Sequence, residues 1–148
     1  MQIRSLVQQK KVTLSFEVFP PKQQDDFETV SAAAKELVSL HPDFISITCG
    51  AAGSQKTNTA DIASVIEQND TAALAHLTCV RLTREQLEQN IADFKARGIQ
   101  NVLALRGDLP KDAKPGEDLF PSGLRHASDL VPVLKQAGFP GEKTSKMA

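Results

Sequence analysis

The sequence predicts an α/β fold built from the first four βα units of a (β/α)8 TIM barrel. Four strand-like segments, at residues 12–18, 44–48, 73–79 and 101–106, are each followed by apolar residues at helical spacing. Repeated units of this kind form a parallel sheet with right-handed crossovers. A closed barrel takes about 250 residues, whereas this chain has 148. We therefore expect residues 1–148 to form a single partial barrel domain, truncated after its fourth βα unit.

The first strand carries a carboxylate at its C-terminal end. Apolar and polar residues alternate over positions 13–18, which is the period of a strand with two different faces, and Glu17 lies on the polar face. Pro20 and Pro21 then end the strand, since proline cannot donate to a ladder. Ligands of parallel α/β folds bind at this end of the strands.

A helical pattern follows each strand. The apolar stripes are Phe27, Val30, Ala34, Leu37 and Val38 in the first helix, Ile62, Val65 and Ile66 in the second, Leu87, Ile91 and Phe94 in the third, and Leu130, Val131 and Leu134 in the fourth. Thr83 and Gln86 form a capping-box pattern before the third helix, and Gly98 follows its end.

The fourth helix, over residues 127–137, contains a proline. We expect Pro132 to be tolerated only in the first turn, so the helix should begin at Ser128 or Asp129. No fifth strand pattern follows Gly138. A four-stranded parallel sheet has two open edges and an apolar inner face, so we expect a homo-oligomer or a chain that needs a second half-barrel.

The composition excludes several classes of partner. The 17 basic and 18 acidic residues are interspersed, with a net charge of −1, so we expect no nucleic-acid partner. The apolar runs fall short of the roughly 20 residues of a membrane helix, and the N-terminus lacks a secretory apolar region. Cys49 and Cys79 have no metal-ligand spacing, so we expect reduced thiols, no metal and a cytoplasmic location.

Polar residues converge on the C-terminal ends of all four strands. Glu17, Thr48 and His76 alternate with aliphatic residues, and the fourth strand runs into Arg106-Gly107-Asp108. One polar strand end is ordinary and serves structure. Four in succession favour a binding site at one rim of the sheet.

Two loops have open interpretations. The segment after the second strand, residues 49–54, contains Gly50 and Gly53, whose backbone amides could approach an anionic ligand or could simply form a turn. The loop 107–125 is longer than an ordinary connection and is either a lid or a solvated loop.

Four segments resemble the methylenetetrahydrofolate reductase family, in order and at plausible spacing. They are S-F-E-V-F-P-P-K (15–22), I-T-C-G-A-A-G-S (47–54), A-H-L-T-C-V (75–80) and A-L-R-G-D-L-P (104–110). H-A-S-D-L-V (126–131) also resembles the helix that follows in the family. The resemblance implies a flavin-containing barrel that reduces 5,10-methylenetetrahydrofolate to 5-methyltetrahydrofolate, with FAD as cofactor and NADH or NADPH as electron donor.

The resemblance also implies a role for each matched residue. Glu17 matches the general acid that protonates the folate nitrogen, a role that requires a protonated carboxyl and that burial at the rim would favour. Asp108 matches a carboxylate close to both the flavin and the pterin. The positions implied to hold FAD are Thr48, His76, Leu105, Arg106, Gly107 and Asp108.

The sequence departs from the family pattern in two respects. Cys49 stands where the family usually has tyrosine, so an aromatic contact near the flavin is lost. The second half of the barrel, which supplies further FAD contacts and most substrate contacts in the family, has no counterpart in residues 1–148. The alternative hypothesis is therefore a non-catalytic half-barrel or assembly module that binds flavin weakly or not at all.

Overall fold

The computed structural model describes residues 1–21, 26–49 and 58–140. Within them, four parallel strands form one sheet in the order β1-β2-β3-β4. The strands are β1 (Ser15–Val18), β2 (Phe44–Ile47), β3 (Ala72–Thr78) and β4 (Asn101–Leu105). The predicted parallel sheet is confirmed.

The helices alternate with the strands. They are α1 (Ile3–Gln9), α2 (Phe27–Val38), α3 (Thr59–Glu67), α4 (Arg84–Ala96) and α5 (Ala127–Gln136). The sequence pattern predicted α2 to α5 but not α1, in which Ile3 alone is buried. Its apolar residues Ile3, Leu6 and Val7 have helical spacing, but seven residues are too few to assign a helix from periodicity.

The core lies between the sheet and its helices. Successive parallel strands joined by right-handed crossovers place all the connecting helices on the same face of the sheet. On β2 and β3 the residues that point to that face are fully or almost fully buried, as is Cys79 directly after β3: Ile45, Ile47, Ala73, Ala75 and Leu77. They pack against buried helix residues that include Ile62, Ile66, Leu87 and Leu130.

The opposite face of the sheet is much more open. Phe44, Leu74 and Thr78 on this inner face are half-buried. Every residue of β4 is also half-buried, because no strand lies beside its outer edge in the described chain. Glu17 at the other edge is more than half exposed. Ser46, Ala72 and His76 are the buried exceptions.

The N-terminal segment is attached to the strand-start end of the sheet through Asn101. Asn101, the first residue of β4, accepts a hydrogen bond from the Ile3 backbone N–H (2.9 Å) and donates one to the Met1 carbonyl (2.9 Å). Ligands of parallel α/β folds bind at the opposite, C-terminal end of the strands.

The predicted starts of β1 and α5 were wrong, and the predicted bounds of β2, β3 and β4 agree within one residue. Residues 12–14 are outside β1, because β2 begins only at Phe44 and the side chain of Asp43 instead accepts from the Leu14 backbone N–H at 2.9 Å. Helix α5 begins at Ala127, earlier than predicted, so Pro132 lies in its second turn. The proline deprives only the carbonyl of Ser128 of a donor, and both residues are exposed to water.

The start and end of α4 are as predicted. The Thr83 hydroxyl accepts from the Gln86 backbone N–H (3.2 Å), and the Gln86 side chain accepts from the Thr83 backbone N–H (3.0 Å). Gly98 follows the helix with φ of 71°, a left-handed conformation that glycine adopts without strain.

Part of the sequence prediction falls outside the described residues. The glycine-bearing loop with Gly50 and Gly53 lies there, as do residues 141–148. Among the helices that the structure does describe, none has the length and apolar character needed to cross a membrane.

Candidate active site

The centre of the site is a carboxylate held by a neighbouring strand. Glu17 on β1 and Ser46 on β2 are directly paired in the sheet register, so their side chains leave the same face side by side. The Ser46 hydroxyl donates a hydrogen bond to Oε2 of Glu17 at 3.0 Å. The alternation of polar and aliphatic residues along both strands is the reason that these groups meet.

His76 approaches the same carboxylate oxygen from β3. Its Nε2 lies 3.8 Å from Oε2 of Glu17, which is beyond a hydrogen bond. This nitrogen is buried and has no hydrogen-bond partner among the described residues. Burial lowers the pKa of His76 below its ordinary value of 6.5, and the Glu17 carboxylate opposes that shift. The imidazole is therefore neutral at pH 7, and the contact is not an ion pair.

The side chain of Glu17 is less buried than we expected for a general acid. Its side chain is 52% exposed, on an edge strand. The burial expected at a barrel rim is therefore absent within the described chain. Groups from outside the described chain would be needed to enclose this carboxyl.

The C-terminal end of β2 is fixed by backbone contacts. The Thr48 N–H donates to the Val18 carbonyl (3.1 Å), and the Thr48 carbonyl accepts from the Thr59 hydroxyl (3.0 Å). Cys49 follows, and its thiol donates to the carbonyl of His76 at 2.9 Å. Burial raises the pKa of Cys49, so this thiol is protonated at pH 7. Cys49 thus links the end of β2 to β3.

Gly107 allows the end of β4 to approach the end of β3. Its φ is 87°, and a Cβ atom there would lie 2.6 Å from Cγ1 of Val80 and 3.2 Å from Cβ of Thr78. The N–H groups of Cys79 and Val80 both donate to the Arg106 carbonyl, at 3.1 and 3.0 Å. A side chain at position 107 would force these strand ends apart.

Arg106 and Asp108 project from this close contact. Both are exposed, and the Arg106 guanidinium donates from Nε to the Gly107 carbonyl at 3.2 Å. Leu105, the last residue of β4, is half-buried and is the register partner of Thr78. An exposed guanidinium beside backbone at a strand end suits an anionic group such as a phosphate.

The long loop after β4 is clamped by Arg81. Its guanidinium makes a bidentate pair with Glu117 (2.7 and 3.1 Å) and also reaches Asp112 (3.2 Å). Its N–H donates to the Leu119 carbonyl at 2.8 Å. Arg81 has a φ of 55°, a left-handed conformation that is uncommon outside glycine. These contacts fix residues 112–119 to the segment after β3, which argues against a freely moving lid there.

The structure brings some of the predicted residues together and leaves others apart. Glu17 and His76 share one face of the sheet and approach within 3.8 Å, as the strand parity predicted. Thr48, Leu105, Arg106, Gly107 and Asp108 lie at the same rim, at the ends of β2 and β4. Ser46 was not predicted as a site residue, although its polar character among isoleucines on β2 was visible in the sequence.

The remaining surface offers no competing centre among the described residues. Within residues 1–21, 26–49 and 58–140, no group of three or more His, Cys, Asp or Glu side chains could hold a metal ion. An open pocket lies at the opposite, strand-start end, between Gln2, the end of α4 and Phe139, and contains none of the predicted site residues.

Fold and site together define a parallel α/β protein of the barrel class, with acid, imidazole and guanidinium groups at the C-terminal rim of its strands. The family model described as methylenetetrahydrofolate reductase matches residues 2–143. The chain belongs to the methylenetetrahydrofolate reductase family.

Individual relatives agree with that assignment. The chain is 39% identical over 132 residues to the 5,10-methylenetetrahydrofolate reductase of Pectobacterium carotovorum, covering 88% of this chain and 42% of the relative. It is 39% identical over 134 residues to methylenetetrahydrofolate reductase (NADH) 1 of Arabidopsis thaliana, covering 88% and 22%. The Escherichia coli enzyme is 35% identical over 129 residues, covering 86% and 41%. The chain therefore matches less than half the length of these relatives.

Proposed function

We propose that this chain provides the acid-bearing and flavin-binding part of an enzyme that reduces 5,10-methylenetetrahydrofolate to 5-methyltetrahydrofolate with NADH or NADPH. The observation that supports it most is the Glu17 carboxyl, held by Ser46 beside the buried Nε2 of His76 at the ligand end of the strands. The free thiols of Cys49 and Cys79 are typical of a reducing compartment, which supports a cytoplasmic location.

The residues at the rim fit a flavin dinucleotide. The buried Nε2 of His76 has no partner within residues 1–21, 26–49 and 58–140, and a ligand atom could accept or donate a hydrogen bond there. The exposed guanidinium of Arg106 suits a diphosphate. We propose that FAD is held by Thr48, His76, Leu105, Arg106, Gly107 and Asp108. The bound flavin supplies hydride transfer, and the protein supplies orientation and electrostatics.

Glu17 is the proposed general acid. It donates its proton to the folate nitrogen whose departure opens the five-membered ring, and this leaves an electrophilic carbon to be reduced. The proton must lie within hydrogen-bond reach of that nitrogen, and the half-exposed Glu17 side chain is accessible to a ligand at the rim. His76, neutral at pH 7, adds no positive charge that would hold Glu17 ionised.

Asp108 has a different proposed role. Its exposed carboxylate follows directly on Gly107, whose close contact with Val80 fixes the start of the loop. A negative charge placed there opposes the accumulation of negative charge on a neighbouring reduced cofactor and orients the pterin by hydrogen bonding.

A second candidate is a half-barrel without catalytic activity of its own. It is favoured by the half-buried inner face of β4 and by the exposed side chain of Glu17. In this case the rim would be completed by a second half-barrel or by another copy of the chain. Flavin would then bind weakly until the partner is present.

One experiment separates the two candidates. The purified protein is titrated with FAD, and the absorbance spectrum of the protein fraction is recorded after gel filtration. Bound flavin that NADH or NADPH bleaches, and that methylenetetrahydrofolate then reoxidises, supports the reductase. A colourless protein that gains flavin only when a second half-barrel is added supports the module and contradicts activity of this chain alone.

A further inference from the structure

The strongest unassigned relationship is the one between Ser46 and Glu17. Ser46 is only 7% exposed, yet it lies on the open inner face of the sheet. Its hydroxyl donates to Oε2 of Glu17 at 3.0 Å. The sheet register pairs the two residues directly, so the backbone itself holds the hydroxyl opposite the carboxylate.

On β3, the described strand on the other side of β2, the Ser46 hydroxyl has no polar partner in register. On its other side, the register partner of Ser46 is Leu74 on β3, which offers no polar atom. His76 is the next polar group on β3, and its Nε2 approaches the same Glu17 oxygen, Oε2, at 3.8 Å. Both contacts therefore fall on Oε2, and Oε1 receives neither of them.

We propose that Ser46 is a positioning residue for the general acid, an inference that rests on the proposed function. By occupying Oε2, Ser46 leaves Oε1 to carry the proton and orients it toward the folate nitrogen. In the step itself, the O–H bond at Oε1 breaks and an N–H bond forms on the folate, and Glu17 becomes a carboxylate. Because hydrogen bonds to charged groups are stronger than neutral ones, the Ser46 contact strengthens as the proton leaves.

A first test measures the contact without cofactor or substrate. The protein is labelled with carboxyl-¹³C glutamate, and the infrared band of Glu17 is identified as the one missing from Glu17→Gln. Ser46→Ala should shift that band, and Ser46→Thr, which keeps the hydroxyl, should restore it. The matched control is Ser64→Ala, because the Ser64 hydroxyl binds the Ala60 carbonyl within α3. A Glu17 band unchanged in Ser46→Ala would overturn the inference.

A second test measures the two half-reactions by stopped flow. Ser46→Ala should slow reoxidation of the reduced flavin by methylenetetrahydrofolate about tenfold or more, the scale of a lost hydrogen bond to a charged group. Flavin reduction by NADH should be unchanged, and Ser46→Thr should recover most of the lost rate. Equal slowing of both half-reactions would show a merely structural role and overturn the inference. If the wild-type protein fails to catalyse reoxidation, the proposed function fails. If the wild type reacts and Ser46→Ala reacts equally fast, only the positioning role fails.

Discussion

The buried Nε2 of His76 lies 3.8 Å from Oε2 of Glu17, too far for a hydrogen bond, and no other residue that the structure describes is a partner for it. The imidazole side chain is 10% exposed and the carboxylate 52% exposed. Burial makes the protonation of His76 costly to the fold, and the neighbouring Glu17 carboxylate offsets only part of that cost.

The first prediction concerns the pH dependence of stability. The pKa of His76 is lowered by burial, so the unfolded chain binds a proton at higher pH than the folded chain does. The stability that the neutral imidazole contributes is complete above pH 6.5 and is lost as the pH falls through the lowered folded-state pKa. Denaturant unfolding across this range should show a steeper loss in wild type than in His76→Gln.

The control for this prediction is His41→Asn. His41 is exposed and has a φ of 55°, which asparagine tolerates. This variant should keep the wild-type pH dependence. If His76→Gln and wild type lost stability in parallel below pH 6.5, His76 would not be a buried neutral histidine.

The second prediction concerns the Arg81 clamp. Arg81 holds the pKa of Glu117 below its ordinary value through a bidentate contact. Arg81→Ala should release residues 112–119, because the side chain links Glu117 and Asp112 to the segment after β3. Tryptic cleavage after Lys111 and amide hydrogen exchange in this loop should both become faster.

Arg84→Ala is the matched control for the clamp. Arg84 forms an exposed pair with Glu88 on the surface of α4 at 3.5 Å, so its removal should leave the loop unchanged. Equal cleavage rates in wild type and Arg81→Ala would show that backbone contacts alone fix the loop.

The third prediction concerns assembly. In an isolated 148-residue polypeptide, β1 and β4 are free sheet edges, and exposed parallel edges promote pairing with another chain. Sedimentation should therefore detect self-association, and the addition of a second half-barrel should reduce it. Leu14→Lys, which places a charge beside the β1 edge where Leu14 is 49% exposed, should weaken it.

Leu40→Lys provides the comparison for assembly, because Leu40 is also exposed but lies between α2 and β2, away from both edges. It should associate as wild type does. A wild-type polypeptide that sediments as a monomer and unfolds cooperatively would contradict pairing through the edges.

The fourth prediction concerns Asp108. Asp108→Asn removes a negative charge at the end of β4, so the reduction potential of bound flavin should rise, while part of the folate turnover survives. Dye equilibration measures the potential. Asp118→Asn, in the same loop, should leave it unchanged. A potential unaltered in Asp108→Asn would place Asp108 away from the flavin.

Much of the fold could be predicted because it depends on local patterns. Alternation in β1 to β3 and the capping box at Thr83 are properties of neighbouring residues, and both were confirmed. The start of β1 and the docking of α1 could not be predicted. They depend on Asp43 and Asn101, which bind partners 29 and 98 residues away in sequence.

The sequence predicted which face of the sheet carries the site residues, but not which of their side chains are in contact. Parity placed Glu17 and His76 on one side of the sheet, and the structure agrees. Parity does not give strand register, and register is what pairs Ser46 with Glu17. The clamp at Arg81 depends on a left-handed backbone conformation and on Glu117, 36 residues away, neither of which leaves a local signal in the sequence.

The most direct test of the central claim, that Glu17 is the acid, is to measure the two half-reactions separately in Glu17→Gln. Glutamine keeps the size and hydrogen-bonding capacity of the side chain but cannot supply the proton. Flavin reduction by NADH should persist at the wild-type rate, and reoxidation by methylenetetrahydrofolate should fall by about 10²–10⁴-fold, the scale of a lost general acid. Equal slowing of the two half-reactions would contradict the account and would make Glu17 a structural or cofactor-positioning residue.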